Sequence, residues 1–280
     1  MRSFHNKVAA ITGAASGMGR QLAIQLAGCG CHLALSDVSE AALAETQALA
    51  QRANTAIRIS VRRVDVADRE AVFAWAKATA LEHGKVNLVF NNAGVAMSGT
   101  AEATKFEDFT WLMNINFWGV VHGTQAFLPH LRASGDGHII NTSSLFGLLS
   151  TPATSAYHAA KFAVRGYTES LRQELDMMKC GVSATCVHPG GIKTAIAQNA
   201  RTDESVKALG IDPRTSKENF SRYLVTSAEQ AAATILNAVR HDKRRVLVGR
   251  DAIVLDKVQR LFPAAYMVLI GMLLRRTYKR

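Results

Sequence analysis

Tyr157 and Lys161 stand four residues apart within Ser155–Val164, a spacing that puts both on one face of a helix. An ammonium beside a phenol favours the phenolate. With a second positive charge nearby, it would bring the tyrosine well below its usual pKa of about 10. Such a tyrosine exchanges a proton with an alcohol or carbonyl oxygen near neutral pH. The spacing is common by chance, so its meaning depends on its surroundings.

A second constellation lies near the start of the chain. The apolar run Val8–Thr12 leads into Gly13-Ala14-Ala15-Ser16-Gly17-Met18-Gly19 and then into a helical pattern. Glycines let a backbone turn sharply and approach a pyrophosphate, and the amides and dipole of the following helix N-terminus stabilise its charge. The alternative is a plain tight turn, and the spacing G-x-x-x-G-x-G is not the commoner G-x-G-x-x-G. Its place in the first strand–helix turn favours a dinucleotide. Asp37 closes the second strand, 18 residues after Gly19. A carboxylate there accepts hydrogen bonds from ribose hydroxyls and repels a 2′-phosphate. Neither Ser16 nor Val38 supplies a cation for that phosphate, so NAD is favoured over NADP. The bland alternative for Asp37 is a helix cap beside Ser39.

Further polar groups fall at or just beyond strand ends, where open α/β sheets bind ligands. They are Asn91-Asn92-Ala93-Gly94, Asn116 on the next helix, Ser143-Ser144, and Pro189-Gly190-Gly191-Ile192-Lys193-Thr194. His158 and His188 sit beside these motifs, but a tyrosine–lysine site needs no imidazole base, so packing or local hydrogen bonding is expected of them. The four cysteines (Cys29, Cys31, Cys180, Cys186) include no C-x-x-C. They read as reduced thiols in a reducing compartment, with Cys180 and Cys186 as small hydrophobes. No metal-ligand cluster is expected.

The elements that must position these residues follow from hydrophobic pattern. Val8–Thr12, His32–Ser36, Ile57–Val64, Asn87–Phe90, His138–Thr142, Ser183–Val187 and Arg245–Val248 read as strands. Gly17–Ala27, Glu40–Ala53, Arg69–His83, Phe106–Leu131 and Ser155–Met178 read as helices. Several strands are apolar without alternation, as when helices cover both faces of a sheet. The expectation is a single α/β domain over residues 1–250, a doubly wound, mostly parallel, Rossmann-like sheet flanked by helices on both faces. An irregular polar stretch, about 190–227, reads as a flexible substrate flap. At 48% hydrophobic and 20% charged over 280 residues, the chain buries a core and is not disordered. Met1–Lys7 has a polar start, and no secretory signal is expected.

Together these pieces resemble the short-chain dehydrogenase/reductase family, in its ordinary non-extended branch. T-G-A-A-S-G-M-G, Asp65-Val66, N-N-A-G, S-S followed by Y-H-A-A-K, and P-G-G-I-K-T appear in family order over about two thirds of the chain. The resemblance implies hydride transfer at nicotinamide C4. Tyr157 would be the general acid/base, Ser144 the substrate-polarising serine, and Lys161 the residue that binds the nicotinamide ribose and tunes Tyr157. Asn116 would hold a water in a proton relay. Ser143 is the alternative to Ser144, and Asn114 to Asn116; the Phe-Trp-Gly that follows favours Asn116. The cofactor contacts it implies are Gly13, Ser16, Gly17, Met18, Gly19, Asp37, Asp65 and Val66 near the adenine half. They continue through Asn92, Ala93, Gly94, Tyr157, Lys161, Pro189, Gly190, Ile192 and Thr194. Thr194 would meet the carboxamide. Homodimers or homotetramers are the implied assemblies.

The formal charge of +11 is uneven. Residues 240–280 hold 11 basic and 3 acidic side chains, while the remaining 239 are nearly balanced. Without zinc-finger spacing or a leucine heptad, nucleic acid is not the expected partner. In the tail, 251–280, an amphipathic stretch Asp251–Phe262 precedes fourteen uncharged residues, Leu261–Leu274, and then Arg275-Arg276. That run is short of the roughly twenty residues needed to span a bilayer. It fits a membrane-surface anchor, an oligomer contact or a cover for the substrate cleft. With Leu145–Leu149, it points to a lipophilic alcohol or ketone: a sterol, retinoid-like or long-chain compound. The expected location is cytoplasmic with peripheral membrane contact. A non-catalytic NAD(H)-binding regulator and a membrane scaffold are the competing classes, and an NADP-dependent carbonyl reductase the competing activity.

Overall fold

Runs of apolar residues with no room for alternation require cover on both faces, and this is what the chain provides. The computed structural model describes residues 1–278, with the side chains of 216, 217, 219, 220 and 273–278 outside that description. Its long strands are β1 (Val8–Thr12), β2 (His32–Asp37), β3 (Ile59–Arg63), β4 (Leu88–Asn91), β6 (Gly137–Thr142), β7 (Val182–Pro189) and β11 (Arg245–Val248). Four two-residue strands complete the set: β5 (Met97–Ser98), β8 (Ile192–Lys193), β9 (Arg201–Thr202) and β10 (Thr226–Ser227).

The seven long strands form one parallel sheet in the order β11-β7-β6-β4-β1-β2-β3. Neighbouring residues on a strand enter opposite cores, as the pleat demands. Ala9 and Ile11, Leu33 and Leu35, and Leu88 and Phe90 pack with α1 (Gly17–Gly28), α2 (Glu40–Ala53) and α8 (Ala228–Arg240). Ala10, Ala34 and Val89 pack instead with α3 (Arg69–His83), α5 (Gly119–Ala133) and α6 (Ser155–Met178). In this second core Trp75 meets Phe127 edge-on at 4.9 Å. Each fully buried apolar side chain of this kind contributes roughly 1.5–3 kcal/mol. The order of pairing reverses between β1 and β4, so a crevice opens there at the carboxyl ends of the strands.

Three helices, Glu40–Ala53, Arg69–His83 and Ser155–Met178, occupy the spans their patterns predict. The predicted single helix Phe106–Leu131 is instead α4 (Phe106–Met113), a π turn over Asn114–Trp118, and α5. The stretch read as irregular carries structure of its own. β8 pairs with β10 and β9 pairs with β5, a 3-10 turn covers Glu204–Leu209, and α7 spans Pro213–Ser221. Arg201 pins this flap, stacking 3.6 Å above the Trp111 ring and pairing with Asp108 at 2.6 Å.

The chain closes with α9 (Arg250–Leu261) and α10 (Ala265–Tyr278), separated at Pro263. The described part of α10 rests on the segment after Ser144: Tyr266 joins Leu145, Leu149 and Ala252 in a buried cluster, with Ile270 packed against it. The Ser150 amide donates to the Tyr266 hydroxyl at 3.2 Å. The side chains of Leu273, Leu274, Arg275 and Arg276 lie outside the described residues, as do Lys279 and Arg280 altogether. Among the described residues, no helix is long and apolar enough to cross a membrane.

Candidate active site

The glycine turn between β1 and α1 is shaped by close backbone approaches. Gly13 and Gly17 adopt φ of +66° and +52°, and a Cβ on Gly19 would lie 2.1 Å from the Gly13 carbonyl oxygen. Asn92 holds the turn by donating from Nδ2 to the carbonyls of Thr12 (3.1 Å) and Gly13 (3.3 Å). Thr12 Oγ1 in return accepts from the amides of Asn92 and Ala93. Ser16 occupies the N-cap position of α1 without a side-chain capping bond, and the first turn carries no acidic residue. The cradle and the uncapped, carboxylate-free helix start fit a pyrophosphate. Thr194 reaches the same turn, for a Cβ on Gly17 would meet its Cγ2 at 2.9 Å.

Asp37 lies at the rim of this cradle. Its Oδ2 accepts from the Ala15 amide and its Oδ1 from the Ser39 amide, both at 3.1 Å. It is therefore a brace for the glycine turn and closes a tight turn just before α2, whose N-cap residue is Ser39. The β2–β3 register sets exposed Arg63 opposite Asp37, a cation the sequence reading did not weigh. Asp65 accepts from the Ala67 amide and is exposed, while Val66 is buried and packs tightly against Gly119. Met18 is half-buried against the core, and Ile192 is buried in it. Pro189 ends β7, and the Gly190 amide donates to Val248.

The second half of the crevice gathers the titratable groups. Gly94 brings the loop after β4 against both Asn116 and Lys161; a Cβ there would lie 3.2 Å from Asn116 Oδ1 and 3.6 Å from Lys161 Nζ. Asn116 sits in the π turn, buried, and clasps Val95 through two 2.8 Å bonds, accepting from its amide and donating to its carbonyl. Such turns recur at functional sites because they re-aim a side chain within a helix. Asn114, in the same turn, is only half-buried.

Lys161 is buried, its Nζ donating to the Thr142 carbonyl at 2.9 Å and lying 5.7 Å from the Tyr157 ring centroid. Burial pushes its pKa down to about 8. Without the second positive charge of a nicotinamide, burial raises the Tyr157 pKa, opposed by a hydrogen bond from Ser144. The physical reason is that desolvation acts directly on the phenol, while Lys161 holds its own charge reluctantly and lies beside the ring.

The two serines divide their work. Buried Ser143 donates to the Lys161 main-chain carbonyl at 2.7 Å and supports α6, whereas half-buried Ser144 accepts from the Phe146 amide and faces Tyr157. Phe146 meets the Tyr157 ring edge-on at 6.2 Å. His158 spans the loop before α6, with Nδ1 toward the Phe146 carbonyl and Nε2 accepting from the Thr151 amide at 2.9 Å. Buried His188 bonds the Ser144 carbonyl at 3.0 Å through Nδ1, and its pKa falls to about 4 by burial. Among the described residues no group of His, Cys, Asp or Glu could hold a metal.

Two further supports stand behind these residues. A buried network runs from Asn91 Nδ2 to Asn141 Oδ1 at 2.8 Å and from Asn141 Nδ2 to Thr168 at 3.0 Å, tying β4 and β6 to α6. The other is Asp251 on α9, which accepts from the Gly191 amide at 2.6 Å. The repeated asparagines at strand ends were a signal for the first; nothing local points to the second.

Comparison with known proteins agrees with this geometry. The model of the short chain dehydrogenase family matches residues 7–205. The protein SadH of Mycobacterium tuberculosis is 50% identical over 272 residues, covering 97% of this chain and 96% of its own. The crystal structure of a short-chain dehydrogenase/reductase from Burkholderia phymatum in complex with NAD superposes with a TM-score of 0.86 at 30% identity, covering 95% of this chain and 97% of that one. A short-chain dehydrogenase from Mycobacterium paratuberculosis bound to NAD gives a TM-score of 0.75 at 26% identity, over 88% and 97% of the two chains. With its seven-stranded parallel sheet and its motifs gathered at one crevice, the chain belongs to the short-chain dehydrogenase/reductase family of oxidoreductases.

Proposed function

We propose that this oxidoreductase interconverts a secondary alcohol and a ketone with NAD, with Tyr157 as the general acid/base. The observation that carries the reading is the convergence of Tyr157, Ser144, Lys161 and Asn116 on one crevice beside the glycine cradle. NAD, when bound, supplies the hydride acceptor at nicotinamide C4. Gly13, Gly17 and Gly19 would hold its pyrophosphate, Asp37 the adenosine ribose, Asp65 and Val66 the adenine. Asn92, Ala93 and Gly94 would line its middle, with Pro189, Gly190, Ile192 and Thr194 at the nicotinamide end. NAD-bound relatives and the carboxylate of Asp37 support NAD over NADP.

In oxidation Tyr157 takes the alcohol proton while Ser144 donates to the oxygen on which charge develops. Lys161 orients the nicotinamide ribose and offers a charge that favours the phenolate, and Asn116 holds a water on the path of the proton. The apolar surroundings of Tyr157, including Phe146, Val95 and Met97, support a lipophilic substrate. Exposed Trp118, just before α5, and Phe162, within α6, support assembly as a homodimer or homotetramer. Four free thiols, two of them buried, fit a reducing compartment such as the cytoplasm.

Replacing Tyr157 by Phe tests the reaction. Followed by NADH absorbance over a panel of alcohols and ketones, turnover should fall by about 10²–10⁴. NADH binding should persist. Undiminished turnover would remove Tyr157 from the chemistry, and turnover confined to small polar alcohols would reject the lipophilic substrate.

A further inference from the structure

We propose that the outer face of α10 and the corner before it form a docking surface for an anionic lipid bilayer, seating the protein at the membrane surface. Leu261, Phe262, Met267, Val268, Leu269 and Met272 are each half or more exposed. Between Arg260 and Arg275 the only side chain with a polar atom is Tyr266, which is turned inward onto Leu145 and Leu149. The outer surface of this corner is therefore apolar without interruption, unlike the scattered exposed hydrophobes of an ordinary surface.

Charge chooses the occupant. Residues 240–280 hold three carboxylates, and the fold engages all three. Asp242 pairs with Arg172, Asp251 accepts from Gly191, and buried Asp256 pairs with Arg245 and Arg260. Exposed Lys243 and Lys257 have no such neutralisation, and the sequence adds Arg275, Arg276, Lys279 and Arg280 beyond the apolar run. An apolar face with cationic ends matches the junction between acyl chains and anionic headgroups. A second copy fits less well. Pairing the face with itself, in either direction, sets basic ends against basic ends with no free carboxylate between them. Among the described residues the helix is too short to span, since its fourteen residues reach about 21 Å against a hydrocarbon core of about 30 Å.

Because Tyr266 and Ile270 also pack on the segment after Ser144, the docked helix would bring the crevice close to the bilayer. Docking itself is independent of the proposed reaction, so its test needs no turnover.

The full chain is mixed with phosphatidylcholine vesicles with and without phosphatidylglycerol, and sedimented. Binding should appear with the anionic vesicles, at least about tenfold above the neutral ones. It should weaken as salt rises from about 0.1 M to about 1 M, where screening shortens from about 10 Å to about 3 Å. The double variant Val268→Glu, Leu269→Glu, exposed and outside the site, should lose that binding while its thermal midpoint is kept. Val268→Leu should retain it. No binding to anionic vesicles, or equal binding by the double variant, overturns the proposal. A wild-type oligomer that the double variant dissociates, with no vesicle binding by either, assigns the face to a contact between copies and overturns it as well.

Discussion

Asp251, in the first turn of α9, accepts a hydrogen bond from the Gly191 amide at 2.6 Å, sixty residues away in the chain. The carboxylate also fills the space beside Gly190, where a Cβ would lie 2.1 Å from it. Gly191 is closed from the other side, with its carbonyl accepting from the amides of Val225 and Thr226. The loop Pro189–Thr194 is thus held between the flap and the C-terminal helices, and Asp251 is its positioning residue.

Asp251→Ala should loosen that loop without touching the tyrosine. A hydrogen bond to a charged group contributes about 1.5–3 kcal/mol. If most of that loss falls on the bound state, NADH should bind roughly ten-fold or more weakly by fluorescence titration, with kcat changed less than KM for the cofactor. An unchanged NADH affinity would confine Asp251 to folding.

Lys161 is a buried cation with a pKa held down to about 8, against 10.5 for the free side chain. The unfolded chain therefore binds more protons than the folded one between about pH 8 and the ordinary lysine range, and stability should rise with pH across that window. The full difference corresponds to roughly 3 kcal/mol at most. Lys161→Met should abolish turnover and flatten this rise, as read by denaturant unfolding at a series of pH values. A slope that survives the substitution would place the titrating group elsewhere.

Buried His138 and His188 both have pKa values lowered to about 4. Their contribution is fully present above the ordinary histidine value of about 6.5 and is lost as pH falls toward about 4. Up to about 3 kcal/mol from each should disappear over that interval. His188→Asn should reduce the proton uptake on unfolding by about one, measurable from the slope of unfolding free energy against pH.

Asp37→Ala should narrow the preference for NAD over NADP, because it removes the carboxylate while leaving Arg63 on the adjacent strand. The ratio of kcat/KM for the two cofactors should fall by about tenfold, in line with one charged hydrogen-bonding group. A parallel loss with both cofactors would mean that Asp37 acts only through its bond to Ala15.

The sheet was legible because its strands carry dense β-branched and apolar residues that must be covered on both faces. Ser155–Met178 was legible because its period never breaks. The motifs mark the crevice for a similar reason, since glycine turns and strand-end polar residues are local features. The rest depends on partners far along the chain. The π turn was hidden because Phe106–Leu131 keeps a helical pattern throughout, and only the clasp between Asn116 and Val95 shows why it is interrupted. The flap's short pairings rest on two residues each, too few for periodicity to register. The desolvation of Tyr157 was hidden as well, because proximity to a lysine can be read from spacing, whereas burial of the phenol cannot.

The π turn at Asn114–Trp118 accommodates one residue more than a regular helix would hold. Removing a single residue there would let α4 and α5 merge into one regular helix with the faces on either side nearly in phase, so Gly119 and Gly123 would keep their places against Val66 and Asn91. What would be lost is the aim of the side chains inside the turn, and with it the clasp between Asn116 and Val95. A one-codon deletion at this point should therefore spare the fold and strike the site.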